Sequence, residues 1–270
     1  MPEMNGPQFG QRTLLNALIE QKNVMGAVVL RDLRTRFFNH GLGFLVVPLF
    51  PFLHLFALLT VYTIVGRASA YGDDLTIFLV TALIPTLTFM YVSRFMSYSL
   101  LENRQMLTYP VVSILDVIFA RAFLELLAAL QMVAAVMAVL YALGSDPFPH
   151  DPVQAYYALI ATFFLSVATG IVICILCMVF EFVATLWSLT LIVFYLSSGF
   201  FYVPAFLPEP VLKVLSWNPV LHCTEWMRIA FYPGYPEQVL DRTYLIGTSF
   251  LLLLVGLSAE RLFRRKLLSH

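Results

Sequence analysis

Apolar residues run through this chain in long uninterrupted blocks, and charged residues collect between them. Phe37 to Gly66 is a run of thirty positions without an Asp, Glu, Lys or Arg. Leu75 to Ser93, Leu126 to Gly144, Val153 to Phe180 and Phe182 to Pro208 repeat the pattern, and a shorter run, Thr243 to Ala259, is extended by Leu262 and Phe263. A helix rises about 1.5 Å per residue, so about 20 apolar residues cross a hydrocarbon core about 30 Å thick. Each run is long enough for one crossing and too short for two. The pattern predicts an all-α integral membrane protein with six transmembrane helices and both termini on one side.

Composition agrees: 60% of residues are hydrophobic and 12% charged, where soluble domains carry about 25% charged residues. The neutral net charge singles out no partner, and none of nucleic acid is expected, but the distribution of charge orients the chain. Arg12, Lys22, Arg31, Arg34 and Arg36 precede the first run, Arg94, Arg104 and Arg121 bracket the second connection, and Arg261, Arg264, Arg265 and Lys266 follow the last. Arg67, Lys213, Arg228 and Arg242 fall on the other side. The positive-inside rule then places both termini in the cytoplasm and the loops Gly66 to Asp74, Gly144 to Pro152 and Pro204 to Arg242 outside. The order of a cleavable signal peptide is missing, so no targeting segment is expected to be removed. Without repeats or linkers the expected organisation is a cytoplasmic tail and amphipathic helix over residues 1–38, then one transmembrane domain over residues 39–270.

In the arm from Gln11 to Phe38, Leu14, Leu18, Met25, Val29, Leu33 and Phe37 form a helical stripe, with Arg12, Asn16, Glu20, Asn23, Arg31 and Arg34 mostly off it. This is the pattern of a helix lying in the cytoplasmic interface. Its basic end attracts anionic headgroups at about 1 kcal/mol per Lys or Arg. Arg31, Arg34 and Arg36 are therefore candidate substrate-entrance residues, and topology alone is the competing account of them.

The second connection, Ser97 to Val117, carries Glu102, Asn103, Arg104, Gln105 and Asp116 and is interrupted by Pro110. A short polar helix ending before that proline would stand clear of the membrane and offer a docking site to a soluble partner. Arg121 and Glu125 are explained as a simple i, i+4 pair. Cys174 and Cys177 have no nearby His or carboxylate to complete a metal site, so no metal is expected, and Cys223 has no obvious partner. His54 is the one ionisable side chain deep in the first run, which disfavours a proton-coupled carrier. Asp73, Asp74, Asp146, His150, Asp151, His222 and Glu225 form no recognisable catalytic motif.

Between the fifth and sixth runs the outward segment is too apolar for a plain loop. Phe200, Phe201, Tyr202, Phe206, Trp217, Trp226, Phe231, Tyr232 and Tyr235 are interleaved with six prolines from Pro204 to Pro236. Two short helices, Pro210 to Leu215 and Leu221 to Tyr232, joined at Trp217-Asn218-Pro219, are expected to form a re-entrant hairpin in the outer leaflet. Its rings serve either as an interface belt or as an exit rim that stacks on sugar CH faces.

The block Ser198-Gly199-Phe200-Phe201, Leu207-Pro208, Trp217-Asn218-Pro219, Glu225-Trp226-Met227-Arg228 and Pro233-Gly234-Tyr235 resembles the C-terminal signature of ABC-2 type permeases. Within them the chain is most similar to the inner-membrane permeases of capsular polysaccharide export, and the arm with Arg31-Asp32-Leu33-Arg34-Thr35-Arg36 fits too. The resemblance implies a homodimer energised by two copies of a separate ATPase subunit, which binds ATP and Mg and docks after the second span. It also implies a lipid-linked acidic polysaccharide as substrate, the bacterial inner membrane as location, and periplasmic co-polymerase and outer-membrane exporter proteins as partners. Independently, none of Lys22, Lys213 or Lys266 follows a glycine, so no phosphate-binding Gly-Lys loop is present.

The expected roles are entrance at Arg31, Arg34 and Arg36, ATPase coupling at Glu102, Asn103, Arg104 and Gln105, and a path or exit rim at Tyr202, Trp217, Trp226, Arg228 and Tyr232. Export of another lipid-linked glycan, such as O-antigen or teichoic acid, or of a small hydrophobic drug is the alternative within transport. A membrane enzyme acting on polyprenyl-linked glycan is the alternative of another class; it needs Asp73, Asp151 or Glu225 to be catalytic.

Overall fold

Four of the helices begin where a short polar side chain caps the edge of an apolar run. The computed structural model describes residues 14–35 and 46–268. In chain order these form α1 (Leu14–Thr35), α2 (Leu49–Ile64), α3 (Leu75–Ser97), α4 (Ser99–Glu102), a 3-10 turn (Arg104–Thr108), α5 (Ile114–Ala142), α6 (Pro152–Val179), α7 (Phe182–Leu196), a second 3-10 turn (Pro204–Phe206), α8 (Glu209–Leu215), α9 (Pro219–Phe231) and α10 (Arg242–Leu268). Asp74, Asp151 and Asn218 accept from the first free backbone N–H groups of α3, α6 and α9, and Ser113 with Asp116 closes a capping box on α5.

The described residues are helical with no strand, as expected. Four helices, α3, α5, α6 and α10, are long and apolar enough to cross a membrane, while α2 and α7 are shorter apolar helices. Part of the first predicted span, with Arg36 and Phe37, lies outside the described residues. The fifth run differs from expectation, because only Phe182–Leu196 is helical, about 22 Å at 15 residues. The helix is capped by Ser197, and two residues on Gly199 turns the chain at φ +84°, where a Cβ would meet Leu221 Cδ1 at 3.0 Å. Glycine alone takes that backbone conformation at no steric cost.

α6 is the central helix, packed most extensively against α10 and α3. Small residues allow the approach: a Cβ on Gly256 of α10 would lie 2.7 Å from Ile171 Cγ2, and one on Gly170 of α6 would collide with Met96 of α3. Cys174 and Cys177 are both buried in α6 as free thiols, with Ser99 Oγ 3.1 Å from Cys174 Sγ. Cys223 is likewise a free buried thiol, packed in the outer core with Val220 and Met227.

α1 packs on α5, and its Val28 and Asp32 are buried, Asp32 lying near Arg121 of α5. Met25, Val29 and Leu33, members of the predicted stripe, are half-buried on the adjoining face. The arm therefore uses two neighbouring faces, one for the protein and one that remains partly open. The outward segment folds into the two expected helices, with α9 beginning at Pro219 because Asn218 caps it.

Candidate functional site

Two polar clusters stand at opposite ends of the helical body. At the cytoplasmic end, the polar connection is a compact step of α4 and the 3-10 turn, closed by the Val112 N–H donating to the Tyr109 carbonyl at 3.0 Å. Glu102, Arg104 and Gln105 are exposed on it, whereas Asn103 is buried. Glu102, Arg104 and Gln105 line a groove of about 520 Å³ with Leu101, Leu107, Thr108 and Leu267. Leu267, near the end of α10, is buried there against the cluster that holds Leu100 and Ile114.

Behind the groove lies a buried guanidinium. Arg121 donates through Nε to Glu125 at 2.8 Å and through Nη1 to Glu102 at 2.9 Å, and the same Nη1 is 3.7 Å from Asp32. Asn103 accepts from Arg31 at 3.1 Å and donates to Asp32 at 3.4 Å and to the Ser99 carbonyl at 3.0 Å. Gln21 of α1 donates to Asp116 of α5 at 3.2 Å. Arm, connection and α5 are thus joined by side chains that read as unrelated in the sequence. Arg121 and Glu125 do form their i, i+4 pair, but as part of a wider network. Removing one partner from such a buried ionic group typically costs about 3–5 kcal/mol.

Among the entrance residues, Arg31 is half-buried and tied to Asn103, Arg34 is exposed, and Arg36 lies outside the described residues. His54 faces Tyr91, with Nδ1 3.5 Å from the phenol oxygen, and its ring lies 5.5 Å from that of Tyr195.

The outer cluster centres on Arg228, fully buried in α9. It donates to the carbonyls of Gly199 at 2.8 Å, Tyr202 at 2.9 Å and Phe200 at 3.3 Å, and lies over the Phe78 ring at 4.1 Å. Its Nη1 is 3.4 Å from Glu225, which accepts from Tyr235 at 2.9 Å. Burial pushes the Tyr235 hydroxyl far above the ordinary phenol range, so it stays a donor. Thr224 adds a bond to the Ser198 carbonyl at 2.6 Å. Carbonyls left orphaned where α7 stops are satisfied by α9.

The five rim residues do not share one surface. Tyr202 and Arg228 belong to the clamp, and Tyr232 packs edge-on to Tyr71 at 5.4 Å. Trp226 is only 6% exposed; its indole donates to Gln154 at 2.7 Å and the Arg242 guanidinium lies 5.4 Å from its ring. Trp217, by contrast, is 75% exposed at the joint between α8 and α9.

The acids required for an enzymatic reading lie in three different settings. Asp151 accepts from the N–H groups of Val153 and Gln154, Glu225 is fully buried in its ion pair, and Asp73 is exposed. No group of three or more His, Cys, Asp or Glu suited to a metal occurs among the described residues.

The chain is 28% identical over 251 residues to the capsule polysaccharide export inner-membrane protein CtrC of Neisseria meningitidis serogroup B, covering 92% of this chain and 94% of that protein. Against the capsule polysaccharide export inner-membrane protein BexB of Haemophilus influenzae it is 27% identical over 264 residues, covering 96% and 98%. The polysialic acid transport protein KpsM of Escherichia coli is 27% identical over 245 residues, covering 89% and 93%. Residues 23–232 match the profile of the family described as ABC-2 type transporter. That match runs from the arm, through the first five apolar runs, to the outer hairpin, and the chain belongs to the ABC-2 type transporter family.

Proposed function

We propose that this chain is the membrane permease of an ATP-driven exporter that moves a lipid-linked capsular polysaccharide outward across the bacterial inner membrane. The likeness to CtrC, BexB and KpsM over at least 89% of this chain carries that reading. Two copies pair around the path, each crossing the membrane six times with both termini cytoplasmic, and α8 with α9 forms a re-entrant hairpin in the outer leaflet. Arg31, Arg34 and Arg36 receive the acidic headgroup or sugar at the cytoplasmic entrance. Two copies of a separate subunit bind ATP and Mg and seat on Glu102, Arg104 and Gln105, which edge the 520 Å³ groove, while the buried Asn103 supports that step from beneath. ATP-driven closure of those subunits moves the connection, and α3 and α5 move with it. Tyr202, Trp217, Trp226, Arg228 and Tyr232 shape the outer end, and periplasmic co-polymerase and outer-membrane exporter proteins continue the route.

The test is genetic and biochemical. Deleting the gene in its native host is expected to remove surface polysaccharide and to leave lipid-linked glycan inside, and the purified chain is expected to co-purify with its ATPase subunit as a two-plus-two complex. Normal surface polysaccharide in the deletion strain sinks the reading.

A further inference from the structure

Arg121 stands where three elements meet, and its bonds cross all of them. A local helical pair requires only the Nε bond to Glu125 at 2.8 Å. Its Nη1 instead reaches Glu102 on the connection at 2.9 Å and lies 3.7 Å from Asp32 on the arm. Next in sequence to Glu102, Asn103 makes a second, separate tie to the arm through Arg31 and Asp32. The planar fork of a guanidinium holds several carboxylates in fixed directions, which a point charge on a flexible stem does not.

We propose that Arg121 is a positioning residue that makes the arm and the cytoplasmic connection one mechanical unit, so that an acidic headgroup on the arm alters turnover by the ATPase subunit docked on the connection. This rests on the reading of the connection as the ATPase seat and of the arm as the entrance. A displacement of the connection must carry α1 with it or break the contacts of Asn103 with Arg31 and Asp32 and of Arg121 with Asp32, around a guanidinium that is itself fully buried. For binding, though not for turnover itself, the coupling runs both ways, since linkage between two sites is reciprocal in free energy. The contiguous chain is Arg31, Asn103, Asp32, Arg121 and Glu102, each in direct polar contact with the next.

The experiment reconstitutes the chain with its ATPase subunit in nanodiscs of phosphatidylcholine, with and without phosphatidylglycerol as the acidic probe, and measures ATP hydrolysis. Wild type is expected to hydrolyse ATP about fivefold faster or more with the acidic lipid. Arg121→Gln, and the swap Arg121→Glu with Glu125→Arg, are expected to lose the stimulation, each scored against its own rate in neutral lipid with the ATPase subunit still bound. The swap keeps a pair within α5 while setting a carboxylate against Asp32 and Glu102. Arg121→Lys is expected to recover part of the stimulation. Full stimulation in the swap, or none in wild type, overturns the proposal. If the swap fails to accumulate, Asp32→Asn is measured in its place; it too is expected to lose stimulation, and an unchanged response overturns the proposal. The two readings fail separately. If Glu102→Arg and Arg104→Glu each retain the ATPase subunit, the seat itself is wrong; if they release it while Arg121→Gln keeps the stimulation, only the tie is wrong.

Discussion

Arg228 Nη2 donates to the carbonyl of Gly199 at 2.8 Å, joining the outer helix α9 to the turn at which α7 ends. Without this bond and its neighbours to Phe200 and Tyr202, the carbonyls of the turn would face an apolar core unpaired. Arg228→Ala is expected to destabilise the protein by about 3–5 kcal/mol, because it also leaves Glu225 buried without its cation. Arg228→Lys is expected to recover little, since one ammonium cannot span the same set of carbonyls. Thermal unfolding in detergent, read by loss of monodisperse protein, checks both variants; wild-type stability in Arg228→Ala would contradict the clamp.

The two outer tryptophans separate packing from surface chemistry. Trp226→Ala is expected to cost about 3–5 kcal/mol in stability, and Trp226→Phe much less, because the ring is buried. Trp217→Ala is expected to leave stability within about 0.5 kcal/mol while lowering export, if the exposed ring stacks on sugar at the exit. Unaltered surface glycan in Trp217→Ala, at normal protein level, removes Trp217 from the exit.

At the arm, charge reversal is expected to abolish export without preventing insertion. Arg34→Glu acts on the exposed surface alone, whereas Arg31→Glu also disturbs its bond to Asn103. The Arg31 variant is therefore expected to impair ATPase coupling as well as export. Surface glycan and membrane-fraction blots distinguish loss of transport from loss of protein, and normal glycan in both variants ends the entrance role.

On the connection, Glu102→Arg is expected to be more damaging than Arg104→Glu, because Glu102 both edges the groove and accepts from buried Arg121. Co-purification of the ATPase subunit with each single reversal is the measurement. Combining the two reversals restores the local charge balance, so retained assembly in the double variant carries weight only beside both singles. Purified alone, the chain is expected to hydrolyse no ATP.

Much of this architecture was legible as pattern. Uncharged runs mark where helices lie because a chain in hydrocarbon must satisfy its backbone internally, and Trp217-Asn218-Pro219 marks the joint of the outer helices, although the second starts at Pro219 rather than Leu221 because Asn218 caps it. The polar step at Glu102 to Gln105 was visible for the same reason: four polar residues in a row cannot be buried cheaply in a span.

What the linear pattern could not reveal is which distant residues share one charge or one carbonyl. Arg121 and Glu125 are four apart and explain each other locally, so the sequence by itself determined a pair; only packing α1 and the connection against α5 brought Asp32 and Glu102 to the same guanidinium. Arg228 reads in sequence as part of an outer rim, and only the fold decides which carbonyls it holds at the turn of Gly199; Trp217 and Trp226 look alike in sequence yet differ in burial. Periodicity and charge state what a residue can tolerate along its own helix, because those constraints are local. Its partners are decided by the crossing of helices far apart in the chain, where a buried charge must find its counterpart or the fold loses several kcal/mol.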